Sequence, residues 1–137
     1  MELTDVLVLV REDVKQHIPV FVCGQVGSGK TMLTTLISQT CFDSSINSML
    51  ILDEIATFDD IDLIKAAIKS NVPVVATAHY NNPEHVYRQL DMHNTKNFKF
   101  RYIYLDRTFR EKKGNVAKCD MHFVRYFEQC EESDNWI

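Results

Sequence analysis

Three of the four glycines in the chain fall in one short run, Gly24-Gln25-Val26-Gly27-Ser28-Gly29-Lys30-Thr31, which closes on a lysine and a threonine. This order, GxxxxGK[ST], is suited to holding a phosphate chain. Glycines let the backbone curl until successive N–H groups point inward, and a helix starting there adds the positive end of its dipole. In that arrangement Lys30 reaches the β- and γ-phosphates and Thr31 binds Mg²⁺. The binding set read from the run is Gly24, Gln25, Val26, Gly27, Ser28, Gly29, Lys30 and Thr31, with Met32 directly after it. The ligands expected are a nucleoside triphosphate, ATP, and Mg²⁺.

Further along, the apolar stretch Ser48-Met49-Leu50-Ile51-Leu52 delivers Asp53-Glu54. Acids at the C-terminal end of a buried strand lie where open α/β sheets bind ligands. Asp53 would hold Mg²⁺ through its water shell, and Glu54 would polarise an attacking water. A plain strand cap is the alternative for this pair. Val74-Val75-Ala76-Thr77-Ala78-His79 repeats the pattern and brings Thr77 and His79 to the same sheet edge. There they would contact the γ-phosphate or the water, unless Thr77 is only a buried strand residue and His79 a solvated one. The catalytic set is therefore Lys30, Glu54, Thr77 and His79, and the metal set Thr31 and Asp53.

A basic stretch contains Arg101, Arg107, Arg110, Lys112 and Lys113, interleaved upstream with Phe98, Phe100, Tyr102 and Tyr104. Stacking on nucleic-acid bases is one reading, but an amphipathic hairpin accounts for the pattern more simply. An ATPase of this kind needs an arginine from outside the phosphate loop, and Arg88, Arg107 and Arg110 are the candidates, supplied by a neighbouring subunit. The histidines His17, His85, His93 and His122 have no metal-ligand spacing.

The elements that must position these groups follow from periodicity. Residues 3–16 repeat Leu3, Val6, Leu7, Val10 and Val14 at helical spacing, and Pro19 breaks that pattern. Strands are expected at 20–23, 48–52 and 73–78, each short and apolar as buried parallel strands are. Helices are expected at 30–40, 59–69 (stopped by Asn71) and 84–90, with a turn at 43–45. Residues 98–105 alternate, as do 122–127 less cleanly, with a turn at 112–115 between them; this predicts a C-terminal β-hairpin. The fold class is α/β, a P-loop NTPase with a mainly parallel sheet sandwiched by helices. One domain over 1–130 and a flexible tail at 131–137 are expected.

Composition is that of a globular protein, 45% apolar and 25% charged, with net charge −4. No strong global field draws the chain to nucleic acid or an anionic membrane. The apolar run 6–10 is too short for a span and is followed at once by Arg11-Glu12-Asp13, so it reads as neither anchor nor signal peptide. Cys23, Cys41, Cys119 and Cys130 show no CxxC spacing and are expected to be reduced thiols in a cytoplasmic protein.

In order, GQVGSGKT, LILDE, a helix, VVATAH and a closing pair of strands resemble the traffic ATPases of type II and type IV secretion and pilus machines. The resemblance covers roughly residues 15–127, and only the GQVGSGKT run is specific by itself. It implies the motor domain of a hexameric ring with ATP bound between subunits. It further implies that Lys30 and Thr31 serve phosphate and Mg²⁺, that Glu54 occupies the acidic-box position and that His79 occupies the histidine-box position. This chain departs from the family between Lys30 and Asp53, where there is room for one helix and one strand only. The resulting expectation is an ATP-hydrolysing, homo-oligomeric motor that moves a protein or nucleic-acid polymer. The alternative is a non-motor nucleotide-binding regulator or DNA-transaction module with slow hydrolysis. A small-molecule phosphotransferase fits less well, because it has no need of a water-activating acid such as Glu54.

Overall fold

A computed structural model describes residues 1–42, 48–90, 98–112 and 114–124. The expected turn at 43–45, the last part of the expected final strand and the tail at 131–137 lie outside the described residues. The chain runs α1 (Leu3–Lys15), β1 (Val20–Gly24), α2 (Lys30–Phe42), β2 (Leu50–Leu52), α3 (Phe58–Lys69), β3 (Val74–Ala78), α4 (Pro83–Leu90), β4 (Phe98–Leu105), α5 (Arg107–Glu111) and β5 (Lys118–Val124). The sheet has five strands in the order β2-β3-β1-β4-β5. Its first four strands are parallel, and β5 is antiparallel to β4.

β1 is central, with Cys23 beside Ala78 on one side and Gly24 beside Leu105 on the other. Both β1 and β3 are buried along their whole length, which is why neither alternates in polarity. Their side chains still alternate between two cores, as the strand period requires. Val20 and Val22 join α1 and α2 in one core through Val10, Leu33 and Ile37. Phe21 and Cys23 join α3 and α4 in the other through Ile64, Val86 and Leu90. Layers on both faces leave the sheet's C-terminal edge open for a site.

Local signals set the helix ends. Thr57 and Asp60 form a reciprocal capping box before α3, satisfying N–H groups that the first turn leaves unpaired. Asn71, at φ 61, turns the chain after α3 in the left-handed region that asparagine tolerates.

The terminal pair of strands differs from the expected hairpin. β4 is hydrogen-bonded on both sides, so it belongs to the main sheet, and α5 lies in the connection ahead of the expected turn. β5 starts at Lys118, before the expected residue 122. As an edge strand it is mostly exposed, yet Cys119, Met121 and Phe123 still alternate with Lys118, Asp120 and His122. Arg101, read as part of a basic surface, is buried. Its Nε donates to Asp13 Oδ2 at 2.7 Å and its Nη2 to Asp13 Oδ1 at 3.2 Å, fastening α1 to β4. Among the described residues no helix is long and apolar enough to cross a membrane.

Candidate functional site

The turn between β1 and α2 starts from the middle of the sheet. At Gly24 a Cβ would lie 2.5 Å from the Leu105 carbonyl, and at Gly29, φ +102, it would lie 2.7 Å from the Phe109 ring. Backbone and ring approach closely enough there that only glycine fits. Lys30, 8% exposed, folds back over the turn and donates from Nζ to Gly24 O at 3.0 Å and Gln25 O at 2.9 Å. Among the described residues no carboxylate pairs with this buried ammonium, which rests on neutral carbonyls. α2 has no acidic residue in its first turn, so the unpaired N–H groups and dipole at its start are left for an anion. The Ser28 hydroxyl beside them is buried with no hydrogen-bond partner among the described residues.

Opposite the turn, β2 and β3 contribute a linked set of polar groups. Thr77, fully buried, donates its hydroxyl to Asp53 Oδ1 at 3.0 Å and accepts the Glu54 N–H at 2.6 Å. Glu54 has φ 72, and Ile55 N donates to Thr77 O at 2.8 Å. Thr77 is thus a tie between strands, holding Asp53 and Glu54 in place. Thr31 Oγ1 approaches the two Asp53 oxygens at 3.3 and 3.4 Å. His79 Nδ1 lies 3.2 Å from Gly24 O, and Nε2 meets Glu54 Oε1. A carbonyl can only accept, so this contact is a hydrogen bond only in a form of the ring that protonates Nδ1.

Lys30, Thr31, Asp53, Glu54, Thr77 and His79 all line one cleft of about 380 Å³. Every catalytic and metal-binding residue expected from the sequence therefore converges there, and Gly27, Gly29, Val26 and Met32 border the same cleft. Among the described residues no cluster of three or more His, Cys, Asp or Glu forms a metal cage. A hydroxyl and one carboxylate are the sparse oxygen donors that suit Mg²⁺, which keeps waters and takes further ligands from substrate phosphates. The donor set fits that ion. Gln25 and Ser28 face a neighbouring cleft of about 470 Å³, which Val26 and Gly27 also line.

This second cleft went unread in the sequence. Its far wall is Tyr104, Leu105 and Asp106 at the end of β4 together with Arg107, Arg110 and Glu111 of α5. Asp106 caps α5 by accepting the Thr108 N–H at 2.9 Å. Hydrogen bonds from the Thr108 hydroxyl and then its N–H hold the Asp106 carboxyl below the usual range. Phe109 is buried against Gly29, and Arg110 Nη1 donates to Gly27 O at 3.0 Å. The Asp-x-Thr capping signal was available in the sequence, but the docking of α5 on the turn was not.

The three candidate arginines are placed differently. Arg88 pairs with Glu84 on α4 at 3.4 Å, Arg107 pairs with Glu111 at 3.9 Å, and Arg110 touches the turn of its own chain. Burial pushes the Cys23 thiol up to about 12, so it is an inert core residue under the turn.

No protein-family model matches the chain, and no curated protein sequence matches it. Among solved structures the chain is similar to the VirB11 ATPase from the Brucella suis type IV secretion system, determined in complex with sulphate. The TM-score is 0.58 at 13% identity, over 85% of this chain and 52% of that one. At this identity the likeness is one of fold, an α/β domain with a mostly parallel sheet. The chain spans about half the length of that protein.

Proposed function

We propose that this chain is a P-loop ATPase that binds ATP with Mg²⁺ in the Lys30 cleft and hydrolyses it. One observation carries the reading: the Thr31 hydroxyl lies 3.3 Å from the Asp53 carboxylate, across a cleft whose floor is the Lys30 ammonium. Two separate sequence signals meet there, a hydroxyl and a carboxylate of the kinds that hold Mg²⁺ beside a bound phosphate chain, and this supports the reading.

In this reading the N–H groups of the Gly24–Thr31 turn and the start of α2 receive the phosphates, and Lys30 exchanges its carbonyl partners for β- and γ-oxygens. Thr31 and Asp53 would hold Mg²⁺, which would supply positive charge to the phosphates. Glu54 accepts a proton from the attacking water. The water oxygen bonds to the γ-phosphorus as the bond to the β–γ bridging oxygen breaks. Thr77 keeps Asp53 and Glu54 in register, and His79 orients Glu54. The nucleoside end lies in the second cleft beside Tyr104 and Asp106.

We further propose that the chain works in a homo-oligomer, a ring being one form, that moves a protein or nucleic-acid polymer in the cytoplasm. The order of motifs and the fold likeness to a secretion ATPase support this. A slow, non-motor regulator is the second reading, favoured by the contact that joins Glu54 to His79 instead of leaving it free for water. Calorimetry with Mg-ATP tests the first step: the parent chain binds and Lys30→Ala does not, with its fold retained. Equal affinity in both would sink the assignment. Mass in solution with and without a non-hydrolysable ATP analogue separates the motor, which assembles, from the regulator, which stays monomeric.

A further inference from the structure

We propose that Arg110 is a nucleotide-binding residue in cis, gripping the phosphate chain where it passes from the Lys30 cleft into the Tyr104–Asp106 cleft. The proposal rests on the ATP reading above. It gives Arg110 a role within its own chain, apart from the transition-state arginine expected from a neighbouring subunit.

Three observations lead to it. Arg110 lines both clefts, so its guanidinium stands at their junction. Its position is fixed by the fold: Asp106 caps α5, Phe109 is 3% exposed against Gly29, and Arg110 Nη1 then reaches Gly27 O at 3.0 Å. Its charge has no carboxylate partner among the described residues. Among the described residues Arg88, Arg101 and Arg107 each have a carboxylate partner, whereas the hydrogen bond of Arg110 goes to a neutral carbonyl.

A guanidinium has five N–H donors in a planar fork, and the Gly27 contact occupies one. The others are free for phosphate oxygens without disturbing that contact. Lys30 holds the turn's carbonyls in the same way. Two cations with only neutral partners therefore bracket one glycine-rich turn, an arrangement completed by a polyanion. Among the described residues the acids of the two clefts have other partners: Asp53 meets Thr31 and Thr77, Glu54 meets His79, Asp106 accepts from Thr108, and Glu111 pairs with Arg107.

The position at the junction predicts a specific kinetic signature. A group on the part of the chain common to ADP and ATP contributes to both affinities alike, so its loss raises KM and leaves kcat near the parent value. An arginine that acts on the γ-phosphate at the transition state would do the reverse.

The test compares the full-length parent, Lys30→Ala, Arg110→Ala, Arg110→Lys and, as a surface control, Arg88→Ala. Mg-ADP and Mg-ATP affinities are measured by calorimetry, turnover by phosphate release, and fold by circular dichroism. Arg110→Ala is expected to weaken both nucleotides by a similar factor, about 10- to 100-fold, the loss of one charge-assisted hydrogen bond to phosphate. Arg110→Lys recovers only part of this, because the fork is lost. At ATP concentrations well below the raised KM, mixing Arg110→Ala with Lys30→Ala chains is expected to add no activity beyond that of the Arg110→Ala chains alone, since no site then holds both residues. Parent-like ADP affinity with a fall in kcat, or recovered activity in the mixture, overturns the proposal. If Lys30→Ala loses binding while Arg110→Ala keeps it, the cis role fails and the ATP reading survives. If the parent binds neither nucleotide, both fail together. Should Arg110→Ala not fold, Arg110→Lys decides by the same readouts: parent-like affinity for both nucleotides overturns the proposal, and a shared loss supports it.

Discussion

Replacing Thr77 with valine removes one hydroxyl and almost no volume, so its effects report on hydrogen bonding alone. That hydroxyl accepts from Glu54 N at 2.6 Å and donates to Asp53 at 3.0 Å, inside a fully buried residue. In the valine variant the Glu54 N–H has no partner, and an orphaned, partly buried donor costs about 1–3 kcal/mol. With an unfolding entropy of roughly 2.1 cal/mol/K per residue over 137 residues, the melting temperature should fall by about 3–10 °C. Asp53 also loses an anchor, so ATP affinity should weaken in the presence of Mg²⁺ and change little without it. Thermal melts followed by circular dichroism, and calorimetry with and without the ion, measure the two effects. Thr77→Ser, which keeps the hydroxyl, should lie close to the parent in both. If Thr77→Val melts with the parent and binds Mg-ATP equally well, the hydroxyl is not the tie described above.

Glu54→Gln retains shape but cannot accept the water's proton, so the variant should bind ATP and fail to turn it over; parent-rate phosphate release would move the base elsewhere. Asp13→Ala strands the buried Arg101 guanidinium and should cost about 3–5 kcal/mol in urea unfolding. The double change Asp13→Leu with Arg101→Met should cost less than that single change, and a larger loss would contradict the account of the pair. Burial lowers the His122 imidazole from its ordinary 6.5, with nearby Asp120 opposing the shift. Its neutral form is therefore favoured in the fold, and that stability is present above pH 6.5 and lost as pH falls through the lower folded value. His122→Phe should flatten the stability profile below pH 6.5, measured by urea unfolding across pH; an unchanged slope would assign it to other groups.

Much of the site was legible because its signals are local. The Gly24–Thr31 run contains its own geometry, and short apolar stretches ending in Asp53-Glu54 or Thr77-Ala78-His79 reveal which sheet edge they reach. Parallel strands buried on both faces are recognisable without alternation. What could not be read depends on distant partners. Arg101 looks like a surface cation until Asp13, from α1, meets it. α5 is too short for a periodic signal and is held by one capping aspartate and by Phe109 docking on Gly29. The second cleft exists only because α5 folds back over the turn. The start of β5 was legible but missed, since Cys119, Met121 and Phe123 alternate with Lys118, Asp120 and His122 from the first residue of the strand.

Glu54 holds its backbone at φ 72, a region that costs an ordinary residue about 1–2 kcal/mol and glycine almost nothing. Glycine loses more chain entropy on folding, about 0.5–1 kcal/mol, yet Glu54→Gly would still come out even or ahead by up to about 1.5 kcal/mol. Selection for thermal endurance alone would thus favour erasing the side chain that the ATPase reading needs most. Robustness and turnover pull in opposite directions at this one position, so a hardened variant of the protein would be a candidate for a nucleotide trap that no longer cycles.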